Sequence, residues 1–279
     1  MPLTSPHNGT KATLPAMRHL FTPPGEQALA TVLALQPLLA FDFDGTLAPI
    51  VARPDDARVS AAVAQQLRQL ATLRPVAIVT GRTVADVAPR LGFEPHYIIG
   101  NHGAEDPHRP PSAGGSAALD ALRQRIARMG YDLSSAGVTV EDKQFSMALH
   151  YRLARDRDLA LACIGKVMDE LDPQLLTFGG KCVVNVVVAD APDKGDAVLD
   201  LVHRAGVGAA VFVGDDLNDE AVFERAEPHW LTVRIGRDDP RSRANYFLDG
   251  HAEVALFLRM MLSQLHAQAA RPDPGDDAR

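Results

Sequence analysis

The run LLAFDFDGTLAPI, residues 38 to 50, constrains this chain more than any other stretch. Leu38 to Phe41 are continuously apolar, as in a buried strand, and a strand sends successive side chains to opposite sides. Asp42 and Asp44, two apart, therefore project to the same side where that strand ends. Two carboxylates held together repel, more strongly as water is removed, so a positive group is expected beside them. Taken singly, the stretch also reads as a solvated strand end entering an Asp-Gly turn.

The pattern recurs along the chain. From about residue 26 to about 266, strand and helix signals alternate, which is the signature of an α/β domain with a mainly parallel sheet. Ser60 can cap a helix with Val63, Leu67 and Leu70 on one face, and PVAIVTGR follows as a short apolar strand with a polar end. A helix from Val84 stops at Gly92, and HYIIGNHGAE reads as a strand running into a loop. Further on come the helix KGDAVLDLVHRAG, the acid-ended strand AAVFVGDDLNDE, the strand WLTVRIG, and a last helix with Val254, Phe257, Met261 and Leu265.

The middle third differs. HRPPSAGGS, residues 108 to 116, has linker chemistry. A helix, two strand-like segments around 138 to 152, another helix and the strand KCVVNVVVA follow it, and none of these strands ends in acids. The expected organisation is a core domain over 26–110 and 187–266, interrupted by an inserted α+β cap over 111–186. Residues 1–25, which carry Pro2, Pro6, Pro15, Pro23 and Pro24, read as a disordered or loose tail, and 267–279 as a second one.

Composition narrows the partners. The charge is 28 minus 35, or −7, with no basic run, which argues against nucleic acid or an anionic membrane. No stretch approaches the roughly 18 to 20 apolar residues of a membrane span. The two cysteines, Cys163 and Cys182, form no CxxC motif and suggest neither a disulfide framework nor a zinc site. A reducing, cytoplasmic setting is expected.

Sites in open parallel sheets form at the carboxyl ends of strands. Four clusters should meet there: Asp42 with Asp44; Thr80 with Gly81 and Arg82; Lys194; and Asp215, Asp216 and Asp219. A divalent cation with hard oxygen ligands, Mg²⁺ foremost, would draw on the acids of the first and last clusters, while a hydroxyl and an ammonium hold an anion against it. Transfer of a phosphoryl group to a carboxylate needs that set: neutralised charge, an in-line nucleophile, and an acid for a poor leaving group. Each member alone has a plainer reading, such as a strand end, a first-turn lysine or a capped turn.

Taken in order, DFDGTL, TGR, the Lys-Gly pair and GDDLNDE resemble the phosphatases of the haloacid dehalogenase superfamily, across residues 42 to 219. The resemblance implies a Rossmann-like parallel-sheet core with an inserted cap. It also implies Asp42 as nucleophile and Asp44 as the group that protonates the leaving oxygen and then activates water. Thr80, Gly81 and Lys194 would bind phosphate. Asp42, the backbone carbonyl of Asp44, and Asp215 would hold Mg²⁺, and Asp216 and Asp219 would support the metal or orient Lys194.

GNHGAE, VEDKQFSMALHYR, GGKCVVN and GDDLNDEAVF are similar to segments of the trehalose-6-phosphate phosphatase family. This implies hydrolysis of trehalose 6-phosphate, with Asn101, His102 and Gly103 near the entrance and Arg152, Lys181 and position 185 on the sugar. It leaves room for functional pairing with a trehalose-6-phosphate synthase. One departure stands out: Asn185 replaces the family's glutamate four residues after the cap lysine. Asparagine donates as well as accepts and carries no charge. Sucrose phosphate or a glycosyl-glycerate phosphate is therefore a competing substrate. Apart from the resemblance, Glu141 with Lys143 reads as a surface ion pair and His150, Tyr151 and Arg152 as exposed strand residues. Two non-hydrolytic readings, a sugar-phosphate-binding regulatory module and a receiver domain, do not need the full set Asp42, Asp44, Thr80, Lys194 and Asp215.

Overall fold

Strands buried at every position need cover on both faces, and four such strands organise the larger sheet. The computed structural model of the chain describes residues 17–109, 116–180 and 182–270. In chain order the elements are β1 (Arg18–His19), α1 (Pro23–Ala34), β2 (Leu38–Phe41), α2 (Ala61–Leu73), β3 (Val76–Val79), α3 (Val84–Leu91) and β4 (Tyr97–Ile99). Next come α4 (Ser116–Arg128), α5 (Gly130–Ser135), β5 (Thr139–Asp142), β6 (Ser146–His150), α6 (Arg157–Met168), β7 (Leu175–Gly180) and β8 (Val183–Val188). The chain closes with α7 (Lys194–Arg204), β9 (Ala210–Gly214), α8 (Glu220–Arg225), β10 (Leu231–Ile235), β11 (Tyr246–Leu248) and α9 (Val254–Ala269).

The larger sheet has the order β1-β11-β10-β9-β2-β3-β4, and all its pairings are parallel. Helix α9 packs with α1 and α2, while α7 packs with α8 and lies over β2 and β3. Strand order reverses at β2, which sits between β9 and β3. In open α/β sheets a crevice forms outside the carboxyl end of the strand at such a reversal. Asp42 is the residue that follows β2.

The cap is a four-stranded antiparallel sheet, β5-β6-β8-β7. Alternation assigns its faces. Met147, Leu149 and Val186 pack with Leu119, Leu122, Ile164 and Val167 from the cap helices in a separate apolar cluster. Ser146, Ala148, Asn185 and Phe178 occupy the other face, with Ala148 and Phe178 both registered against Asn185. That face meets the core: the Phe178 ring lies edge-on to His102 at 5.0 Å, and Ser146 Oγ donates to Asn101 Oδ1 at 2.6 Å.

The expectation of a loose tail over 1–25 fails for its described part. β1 extends the core sheet beside β11, and Leu20 is fully buried. Pro23 and Pro24 open α1 behind an N-cap at Thr22, whose hydroxyl accepts from the Gly25 N–H at 3.4 Å. Proline suits the first helical turn, whose N–H groups have no intrahelical partner, so the two prolines start structure here. At the other end α9 runs to Ala269, past the expected boundary at 266. The rest of both tails, most of the linker, and Lys181 lie outside the described residues. No helix among the described residues is long and apolar enough to cross a membrane.

Candidate active site

The first two clusters converge because β2 and β3 run in register. Phe41 pairs with Ile78, so Asp42 and Thr80 leave the sheet at the same end. The Asp42 N–H is still held by Val213 of β9 at 2.9 Å, which places the end of β9, and Asp215 just beyond it, alongside. The turn after Asp44 passes tightly over Asp215: a Cβ on Gly45 would fall 2.1 Å from Asp215 Oδ2, and the backbone there has φ +79°. Only glycine fits that approach.

Lys194 is the first residue of α7, fixed by a capping box between Asp193 and Asp196. Its side chain is buried at 1% exposure. Nζ donates to Asp42 Oδ1 at 2.9 Å and to Asp219 Oδ1 at 2.7 Å. The other Asp219 oxygen accepts the backbone N–H groups of Asp215 and Asp216 at 2.8 and 2.9 Å. Asp219 is thereby committed to bracing Lys194 and the turn after β9. Asp216 stands apart and half-buried, its Oδ1 capping the Leu217 N–H at 2.8 Å.

Electrostatics leave this cluster short of positive charge. Burial pushes the Asp42 carboxyl well above its usual range; Lys194 opposes this, while Asp219 and Asp215 add to it. Burial also works against the Lys194 ammonium, but Asp219 and then Asp42 outweigh it and raise it above the ordinary lysine value. Lys194 therefore stays cationic, and one ammonium faces three buried carboxylates. The ligand oxygens of Asp42, Asp215 and Asp219 lie within 4.8 Å of one another. This cluster could coordinate a divalent ion such as Mg²⁺, which favours hard oxygen donors. With Asp219 committed, Asp42 and Asp215 are the side chains suited to holding it.

Asp44 points elsewhere. Arg82 Nε donates to its Oδ2 at 2.7 Å and Nη2 to its Oδ1 at 2.8 Å. Arg82 in turn is held by Asp86 at 2.7 Å and by the Pro54 carbonyl at 2.9 Å. Arg82 stood in the second sequence cluster, but nothing in the spacing identified Asp44 as its partner. Thr80 is fully buried, and its Oγ1 accepts the Arg82 N–H at 3.2 Å.

The turn of residues 101 to 103 is structural to a degree that its position near the entrance did not suggest. The Asn101 side-chain amide donates to Glu105 at 2.8 Å and to the Lys143 carbonyl at 3.2 Å, and its oxygen accepts from Ser146. A Cβ on Gly103, at φ +117°, would lie 2.3 Å from the Asp193 carbonyl. His102 is wedged between Gly81 and Phe178, and its Nδ1 lies 3.3 Å from the Asn218 amide. Burial first, then Lys143 and Lys194, push the His102 imidazole well below its ordinary value, so it is neutral.

In the cap, Asn185 is buried and faces the core, and Arg152 Nη1 donates to the Val51 carbonyl of a core loop at 2.8 Å. Lys143 is buried too, 3.8 Å from Glu141, which corrects the surface-pair reading. Tyr151 and Arg152 are half-buried instead of exposed. Beside Asp216 a cleft of about 430 Å³ opens between Gly180 of the cap and Arg234, Asp238 and Arg241 of the core.

The sequence profile of the trehalose-phosphatase family matches residues 40–251. The chain is 33% identical over 254 residues to trehalose-phosphate phosphatase of Mycobacterium tuberculosis (strain ATCC 25618 / H37Rv), covering 86% of this chain and 65% of that protein. It is 36% identical over 246 residues to the Mycobacterium avium (strain 104) protein of the same name, covering 82% and 63%. The chain thus spans somewhat under two thirds of the length of these relatives. Among solved structures, its fold resembles the C. albicans trehalose-6-phosphate phosphatase C-terminal domain with a TM-score of 0.72 at 21% identity, over 90% of this chain and 99% of that one. A trehalose-6-phosphate phosphatase related protein superposes with a TM-score of 0.68 at 21% identity, over 84% and 100%. With the match spanning the core from β2 to the end of the sheet, the cap included, the chain belongs to the trehalose-phosphatase family.

Proposed function

We propose that this protein is a Mg²⁺-dependent phosphatase that hydrolyses trehalose 6-phosphate through an aspartyl-phosphate on Asp42. The observation that carries this reading is the buried Asp42–Lys194–Asp219 chain beside Asp215, at the point where strand order reverses. A structural ion pair has no need of three acids around one ammonium at a crevice.

Asp42 Oδ attacks phosphorus, and the bond to the sugar oxygen breaks. Asp44, protonated and turned toward the substrate, gives its proton to that oxygen so that an alcohol leaves. In the second half Asp44 takes a proton from water as the water oxygen attacks phosphorus and Asp42 is released. Lys194 and the Thr80 hydroxyl hold the equatorial oxygens of the phosphoryl group, and Asp219 holds Lys194. Asp42, Asp215 and the Asp44 carbonyl would hold Mg²⁺, which would supply charge neutralisation. The cleft beside Asp216, lined by Arg234, Asp238 and Arg241, suits a hydroxyl-rich disaccharide.

Asn185 favours a second reading, the same chemistry on another phosphorylated sugar. Uncharged and buried on the core-facing side of the cap sheet, it offers a different set of hydrogen bonds from a carboxylate. The mechanism is tested by quenching turnover with borohydride, which reduces an aspartyl-phosphate to homoserine. Peptide mass spectrometry should find that change at Asp42, only when substrate and Mg²⁺ are both present. Unmodified Asp42 under steady turnover would count against the covalent route.

A further inference from the structure

Three consecutive carbonyls follow β3, and among the described residues the core satisfies only the outer two. The Thr80 carbonyl accepts the His102 N–H at 2.9 Å, and the Arg82 carbonyl accepts the Asn101 N–H at 2.8 Å. The middle one, of Gly81, accepts from the cap: Lys143 Nζ donates to it at 2.7 Å. The same peptide unit carries the Arg82 N–H, which donates to Thr80 Oγ1 at 3.2 Å. We infer that Lys143 is a positioning residue for phosphate binding, which couples the docked cap to the Thr80 hydroxyl through the single peptide between Gly81 and Arg82.

The chemistry follows from the direction of each bond. An ammonium on the carbonyl oxygen fixes the plane of the peptide and strengthens its N–H as a donor. With that N–H occupying a lone pair of Thr80 Oγ1, the hydroxyl hydrogen is directed away, toward an acceptor. In a fully buried site such an acceptor is the phosphoryl oxygen that Thr80 holds under the proposed function, on which this inference rests. A core without its cap would leave the Gly81 carbonyl unbonded by Lys143 and the peptide freer to turn. The bond is also costly to assemble without purpose: Lys143 is 8% exposed, and its desolvation pushes the ammonium below its usual value despite Glu141 and Asp44. Its anchorage is built in, because the Lys143 carbonyl accepts from Asn101, and Ser146 holds the other end of that amide.

The test uses ligands that have no sugar, p-nitrophenyl phosphate as substrate and orthophosphate as competitive inhibitor, on wild type, Lys143→Met, Thr80→Val and the double variant. Lys143→Met should lower kcat/KM for p-nitrophenyl phosphate and weaken orthophosphate inhibition, each by about tenfold, the size of one charge-assisted hydrogen bond. Thr80→Val should lose at least as much, and the double variant no more than Thr80→Val alone. Lys143→Arg, which keeps a donor, should recover to within about threefold of wild type. If Lys143→Met does not fold, Lys143→Ala carries the same comparison. An unchanged response to both small ligands, with loss confined to sugar phosphates, would overturn the inference and make Lys143 a sugar contact. Additive losses in the double variant would overturn it as well. A wild type that releases phosphate neither from p-nitrophenyl phosphate nor from any sugar phosphate would instead bring down the phosphatase reading, and the inference with it.

Discussion

Arg82 grips the carboxylate of Asp44 with two parallel hydrogen bonds, 2.7 and 2.8 Å long. A protonated carboxyl has one oxygen that donates and cannot accept both, so Asp44 must turn out of this fork before it can serve a leaving sugar. The acid role makes Asp44→Asn a selective lesion. Turnover of a sugar phosphate should fall by about 10²- to 10⁴-fold, the usual worth of general acid-base catalysis. Turnover of p-nitrophenyl phosphate, whose leaving group needs little protonation, should fall far less. Parallel kcat/KM measurements decide it, and equal losses on both would remove the acid role.

Asp219 accepts from Lys194 on one oxygen and from two backbone N–H groups on the other. An amide in its place presents N–H₂ to donors whichever way it turns. Asp219→Asn should therefore destabilise the fold by about 3 kcal/mol, as for a buried pair that loses one charge. Urea unfolding in EDTA measures this, and a midpoint unchanged from wild type would show that Asp219 does not brace the site.

The raised carboxyl of Asp42 has a stability consequence with a definite sign. A group whose folded-state pKa lies above the unfolded value contributes stability below the ordinary carboxylate range, and that contribution is lost as pH rises through the raised value. In the absence of metal, wild type should lose stability relative to Asp42→Asn over that window and match it more closely in acid. Added Mg²⁺ should restabilise wild type but not the variant, by roughly 2.7 kcal/mol at a concentration 100 times Kd. Thermal midpoints across pH, with Mg²⁺ or EDTA, test both parts. A Mg²⁺ shift that survives in Asp42→Asn would place the ion elsewhere.

Asn185 lies on the face of the cap sheet that also carries Phe178 and Ser146 toward the core. Asn185→Glu should change KM for sugar phosphates by about tenfold, the worth of one altered hydrogen bond to a polar group. The p-nitrophenyl phosphate constants should stay as they were. An effect on both would mean that the substitution disturbs the cap itself.

The core was legible in the sequence because its strands are continuously apolar and end in chemistry. β2, β3 and β9 each break from a buried run into Asp42, Thr80 or Asp215, and parallel pairing then has to bring those ends together. What could not be read depended on one domain meeting another. Asn101 looked like an entrance residue, yet its amide is used up between Glu105, Lys143 and Ser146, and the last two partners are in place only after the cap docks. The same holds for Lys143 on the Gly81 carbonyl. Pro23 and Pro24 misled for a local reason, since proline marks loose chain and helix starts alike and only the Thr22 cap distinguishes them. The division between Asp216 and Asp219 likewise turned on backbone geometry, as Asp219 reaches back to the N–H groups of Asp215 and Asp216.

Phosphate release from trehalose 6-phosphate, sucrose 6-phosphate and glucose 6-phosphate should be measured side by side, with Mg²⁺ or EDTA, against Asp42→Asn as the blank. Rapid, metal-dependent release from trehalose 6-phosphate alone, absent from the variant, is the predicted result. Comparable release from another sugar phosphate would keep the mechanism and displace the substrate. Release that persists in Asp42→Asn or in EDTA would contradict phosphoryl transfer to Asp42.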